Sequence, residues 1–426
     1  MLKNKMIMLV LSISLVLTGC STVVHQKTSD VKTESKNQTS QQTTNSSSAS
    51  INTGTNQSSG TTTDTSGGAN KSPGTTANPS GILPIQPVKN TTALQNNVNR
   101  SLVTAVRLAD FNTGWVGGNG WIAKTTSGGK KWAVVYQGSG TVKQLFALNH
   151  SDVWATLNQG GTNLRLLKSS DGGKHWAFIG IVPTNSFLHF TSKTTALSGK
   201  YLSQDGGKRW ISLPTPKRMV GDAYFHDVKN GWAVTQSNNV FYVKRAINGG
   251  KSWSTVMTKS LFSPLAGAMI RSAGTNDAWI ELIGGTGMNQ TAYSVFHTID
   301  GGKSWKTVIA NSTAGGGPAP GFGLEYNNGP NNMGAKPGPL YVVNPQIAFM
   351  GGSCPACDIP NSIGWTKDAG KTWINSNVTL KGYGEAYLAI ADEKHGWWIT
   401  TENEKPSTMY TTSDGGLHWN QIHIFR

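Results

Sequence analysis

One eight-residue pattern, repeated seven times, constrains this chain more than anything else in it. Its clearest copy is Ser169-Ser170-Asp171-Gly172-Gly173-Lys174-His175-Trp176. The others occupy residues 125–132, 203–210, 246–253, 298–305, 366–373 and 412–419. Each has a small, mostly polar residue, then Asp or a substitute, Gly-Gly, two variable residues and Trp. Successive Trp residues lie 34 to 68 positions apart. A fixed motif at such a period signals a repeat architecture.

The chemistry of the unit is local. A carboxylate two residues into the motif can accept hydrogen bonds from N–H groups of its own turn. The glycines supply the positive φ that a tight connection needs. The Trp opens the next strand and presents a ring for packing. On this reading Asp171, Asp205, Asp300, Asp368 and Asp414 are structural. Ser127 and Asn248 substitute another short acceptor, and Ala369 stands where the first glycine is expected. Upstream of each motif lies an apolar run, a polar turn and usually an aromatic-led strand, as in Val106–Trp115 and Asp227–Trp232. Each unit is therefore strand, turn, strand, loop, strand, motif turn, strand. No long apolar pattern of helical period follows residue 20. Short strands and turns at this spacing predict an all-β chain. Four strands repeated seven times predict a seven-bladed β-propeller of four-stranded antiparallel blades.

The pattern resembles the Asp-box, or BNR, repeat over about residues 100–426. The stretch Gly114-Trp115-Val116-Gly117-Gly118-Asn119-Gly120, leading into Lys124–Trp132, looks most like the photosystem II stability/assembly factor type. Sortilin-like and sialidase-like propellers carry the box as well. The resemblance implies a fold. It does not imply one function, because the repeat serves hydrolases, receptors and assembly factors alike.

The chain divides into three parts. Residues 1–20 read as a lipoprotein signal peptide, with Lys3 and Lys5 before an apolar core and Leu17-Thr18-Gly19-Cys20 resembling a lipobox. Cys20 would then carry the lipid, and the protein would be held to the outer face of a bacterial cell membrane. Residues 21–95 are rich in Ser, Thr, Asn and Gly, and too poor in apolar side chains to offset the entropy of ordering. They read as a disordered tether. Residues 96–426 are the propeller. Within 81–88, Pro84 and Pro87 would confine any added strand to a sheet edge.

Function is less legible. The formal net charge is +16, yet no basic helix appears, and nucleic acid is not an expected partner. A protein or a cell-wall glycan is, with the chain acting as a monomer. No cofactor, metal site or catalytic residue is expected. The His residues are scattered, and there is no His-Glu-x-x-His or phosphate-loop pattern. A sialidase would want an Arg triad and an Arg-Ile-Pro segment; this chain has eight Arg and no such segment. The expected function is a non-catalytic binding or assembly module; the alternative is a glycoside hydrolase, sialidase-like or another glycan-cleaving propeller working with two carboxylates. Cys354 and Cys357, in Cys-Pro-Ala-Cys, are expected to form a local disulfide rather than a redox or zinc site. In a propeller the motif turns share one face and the long irregular loops fall on the other. Binding residues concentrate in such loops. Phe322, Glu325, Tyr326, Asp358 and Glu385 are the candidates there.

Overall fold

The computed structural model describes residues 100–426 except positions 162, 327, 328, 359, 403 and 404. The signal, the tether, Cys20 and the segment 81–88 lie outside the described residues. Every regular element among those described is a β-strand, and all pairing between strands is antiparallel. No helix among them is long and apolar enough to cross a membrane.

Among the described residues the strands form six sheets, not the seven expected. Five are four-stranded blades, covering residues 188–212, 224–260, 267–311, 336–375 and 386–424. The first sheet has six strands: Ala105–Leu108, Gly114–Thr125, Ala133–Ala147, Val153–Asn158, Leu164–Ser169 and Ala177–Val182. The count differs because two strands run on where the sequence pattern puts breaks. Gly114–Thr125 pairs at one end with Ala105–Leu108 and at the other with Ala133–Ala147. Ala133–Ala147 in turn passes directly into pairing with Val153–Asn158. In the blade over 267–311 the second and third strands are joined by a tight turn at Met288-Asn289, both at positive φ (50° and 60°).

The motif turns are built alike. Thr298 Oγ1 donates to Asp300 Oδ1 (2.8 Å) and accepts from the Gly302 N–H (2.9 Å), while the Ser304 N–H donates to Asp300 Oδ1 (3.0 Å). The same three bonds recur at Ser169/Asp171, Ser203/Asp205, Thr366/Asp368 and Thr412/Asp414. Ser127 and Asn248 keep the bond to the fourth residue on. In all seven, the N–H at the first glycine position donates to a carbonyl in the turn between the first two strands of the same unit; Gly172 to Ser151 (2.9 Å) and Ala369 to Gln346 (2.9 Å) are examples. The two sets of turns thus share a face. Ala369 adopts φ +60° in place of glycine.

Large side chains fill the space between sheets. Trp115, Trp154, Trp232, Trp279 and Trp397, each just after a first turn, are fully buried. So are Trp121 and Trp398, and Trp365 nearly so. The motif Trp rings meet neighbours edge to face: Trp305 with Trp232 at 6.1 Å and Trp132 with Trp397 at 5.7 Å. That last pair belongs to ring closure. Val103, Leu108, Val116 and Trp121 of the first sheet pack against Trp397, Ile399, Met409 and Phe425 of the last. Val103 N donates to Ser407 Oγ (3.0 Å), and Trp397 Nε1 to the Phe111 carbonyl (3.2 Å). Packing rather than a shared sheet joins the ends. The sheets surround a common channel, which makes the fold a β-propeller.

Candidate functional site

Two regions have the concavity and chemistry of a site. The larger is the channel, a cavity of about 830 Å³ ringed by seven stretches of chain. These are residues 104–109, 143–148, 187–191, 224–226, 271–272, 339–343 and 386–391. Its cations are Arg107, Lys143 and Arg271; its aromatic faces include Phe187, Tyr224, Tyr341 and Tyr387. Among the described residues, no Asp or Glu lines it.

The arginines are held by rings. The Arg107 guanidinium lies 4.6 Å from the Phe146 ring centre, and that of Arg271 lies 4.1 Å from that of Phe187. Such contacts fix the guanidinium plane and leave its N–H edges for other partners. Arg271 spends one donor on the Ile270 carbonyl (2.8 Å). Its surroundings shield it from water enough that desolvation lowers its pKa, though an edge stays open to the channel. Beside it, His189 stacks between Phe187 (6.0 Å) and Tyr224 (5.2 Å). Desolvation lowers the His189 pKa to about 4 and raises that of Tyr224 to about 12. His189 is therefore neutral at pH 7. Its Nε2 lies 3.2 Å from the His226 carbonyl, so that nitrogen carries the proton.

Behind the channel wall sits Glu281, 2% exposed on the second strand of its blade. Burial lifts its pKa to about 7, against an opposing pull from Arg271. Its Oε2 has no hydrogen-bond partner among the described residues. Among the described residues Glu281 is the carboxylate that burial pushes up, and it does not line the channel.

The second region is the connection between residues 311 and 336. Its described residues are tied down at several points. Thr313 and Gly317 exchange backbone bonds (3.0 and 2.8 Å), Ala310 N donates to the Pro330 carbonyl (2.7 Å), and Ser294 Oγ to that of Pro320 (2.8 Å). A polar cavity of about 440 Å³ opens beside it, lined by Gln290, Asn311, Ser312, Thr313, Asn331 and Asn332 among others.

The candidate residues named from sequence separate into two groups. Phe322 and Tyr326 stack at 4.2 Å with exposed Glu325 between them in sequence. Phe322 is turned inward: it packs on Phe296 (5.9 Å) beneath the Lys259 ammonium (4.9 Å). It serves as a core ring. Asp358 and Glu385, both exposed, belong to the other group. Cys354 and Cys357 are disulfide-bonded, and Tyr383 Oη bonds the Cys357 carbonyl (3.1 Å), joining that loop to the connection that carries Glu385. Among the described residues no hydrogen bond, ion pair or ring contact links one group to the other, and no cluster among them could hold a metal. Arg107, His189, Tyr224, Arg271 and Glu281 escaped the motif reading. Their one sequence signal is a charged or polar residue within an otherwise apolar strand, as in Met269-Ile270-Arg271.

The sequence matches no family model and no curated protein. Solved structures with a similar fold include YCF48 bound to a D1 peptide (13% identity, 75% of this chain and 92% of that one, TM-score 0.44). YCF48 from Cyanidioschyzon merolae is another (14%, 78% and 97%, 0.45). A GH74 xyloglucanase from Xanthomonas campestris is a third, matched over 75% of this chain but 55% of its own (14%, TM-score 0.45).

Proposed function

We propose that this protein is a non-catalytic binding module, held outside the cell by a lipid on Cys20 and the tether of residues 21–95, that captures an anionic protein or cell-wall partner at its channel. The observation that carries the reading is the channel lining: three cations, several aromatic faces and no carboxylate. Glycoside hydrolysis by the common route needs two carboxylates flanking the scissile bond. Cations in a concave wall instead concentrate anionic ligands. The seven-stretch lining also supports counting the six-stranded sheet as two blades. Gly120 (φ +79°) and Gly140 (φ +99°) mark where its two long strands would divide, which turns 26 strands into seven sets of four.

The test uses the full-length protein. Lys143 is exposed and lines the channel. Lys143→Glu is expected to reduce capture of partners from cell envelopes while leaving the melting temperature unchanged. A panel of polysaccharides is expected to stay intact. Hydrolysis that disappears with a single carboxylate would overturn the non-catalytic reading, and full capture by Lys143→Glu would remove the channel from it.

A further inference from the structure

We propose that Arg107 and Arg271 together form a site in the channel wall for one tetrahedral oxyanion of the phosphate class. The inference rests on the reading of the channel as a binding region and names the chemistry bound there.

The two arginines come from different sheets, in the strands Ala105–Leu108 and Gly267–Arg271, yet they share a neighbourhood. Both positive charges act on the same two groups, His189 and Tyr224. Each guanidinium is immobilised on a ring of its own, Phe146 or Phe187, so little side-chain freedom remains to be lost on binding. Among the described residues, no carboxylate lies within ion-pair distance of either. Glu281 and Asp222 act on Arg271 only from farther off, and burial raises Glu281 so that it is only partly ionised at pH 7. Two cations facing partly desolvated space without a paired anion are costly, because burial removes water and nothing replaces it.

Charge and donor count select the ligand. A carboxylate would neutralise one guanidinium; hydrogen phosphate or a phosphate monoester carries close to two negative charges and enough oxygens for both forks. Neither His189, neutral here, nor Tyr224, whose hydroxyl donates to the Ser272 carbonyl, adds charge that would alter the match.

The experiment is calorimetric titration of the full chain at pH 7 and constant ionic strength. The probes are inorganic phosphate, glycerol 3-phosphate, glycerophosphoglycerol and acetate. Saturable binding of one phosphate per chain is expected, with acetate at least about tenfold weaker. Inorganic phosphate binding alone identifies a free ion. Equal binding of glycerol 3-phosphate identifies a monoester, and either result supports the site; the singly charged diester bound as tightly as phosphate would overturn the charge match. Arg271→Gln and Arg107→Gln are each expected to weaken binding about tenfold or more. If Arg271→Gln does not melt cooperatively, Arg107→Gln carries the test, since Arg107 is only half-buried. No saturable phosphate binding, acetate as tight as phosphate, or wild-type affinity in Arg107→Gln would overturn the proposal. None of those results bears on envelope capture through Lys143, so the broader reading stands or falls separately.

Discussion

Within the repeated turn, the hydroxyl should matter more than the carboxylate. Thr298 is 2% exposed, and its Oγ1 is the acceptor for the buried Gly302 N–H. Thr298→Ala leaves that N–H unpaired, which costs about 1–3 kcal/mol. Asp300 is more open. Its pKa falls from 3.8 to about 2, first through the Ser304 hydroxyl and then the Ser304 backbone N–H, with slight burial opposing. For a fully shielded group that drop would correspond to about 2.5 kcal/mol. Water reaches this carboxylate, so about 1 kcal/mol is retained. With about 330 ordered residues, 1 kcal/mol shifts the melting temperature by roughly 1.5 °C. Thr298→Ala is then expected to lower it by about 2–5 °C and Asp300→Ala by about 1–2 °C.

The two also separate by pH. The folded Asp300 carboxyl titrates below the unfolded one. Its contribution is complete above the unfolded value and is lost as pH falls through the folded value near 2. The penalty for Asp300→Ala should therefore be roughly half gone at pH 3. Loss of the Thr298 hydroxyl carries no titration of its own. Urea unfolding of both variants at pH 7 and pH 3 measures this. A penalty for Asp300→Ala that exceeds that of Thr298→Ala, or that is as large at pH 3 as at pH 7, would refute the argument.

Three further outcomes are expected. Ala369→Gly should raise stability by about 0.5–1 kcal/mol in urea unfolding, because φ +60° strains an L-residue and suits glycine. His297→Ala should lower it by about 3–5 kcal/mol, since His297 and Asp277 form a buried contact at 2.8 Å and the carboxylate would lose its side-chain partner, keeping the Ala273 N–H. Cys20→Ala should move the protein from the membrane fraction to the medium or block its maturation, as fractionation and immunoblotting would show.

The turns were legible because their bonds span two to four residues. A hydroxyl, a carboxylate and two glycines at fixed offsets contain the whole structure, down to the substitutions at Ser127 and Asn248. The sheet count was not legible to the same degree. Whether Gly120 and Gly140 end a strand or only bend it depends on hydrogen bonds to neighbours distant in sequence. Phe322 shows another limit. A ring in a Gly/Pro-rich connection reads as a surface feature until Phe296 and Lys259 are placed against it. The channel cluster lies beyond local reading altogether. Arg107, His189, Tyr224 and Arg271 meet because the ring closes, and no spacing between them is set by a helix or a turn.

The two faces of the propeller are held differently, and this shapes how variants should behave. On the motif face each turn is fastened twice, by its own side chains and by the N–H at the first glycine position, to the turn beside it. A change there breaks bonds that only the fold uses, so it appears as lost stability. On the opposite face the lengths vary. The disulfide-linked loop meets the next connection through Tyr383, and the segment around 311–336 is packed by side chains as much as by backbone. The channel differs from both. Its arginines rest on rings, and desolvation makes the Arg271 charge unfavourable. Replacing Arg271 with a neutral residue of similar shape removes a desolvated charge as well as a ligand contact. Arg271→Gln is thus expected to keep or gain stability while losing anion binding. A variant that lost both together would mean that the arginine is there to hold the ring rather than a ligand.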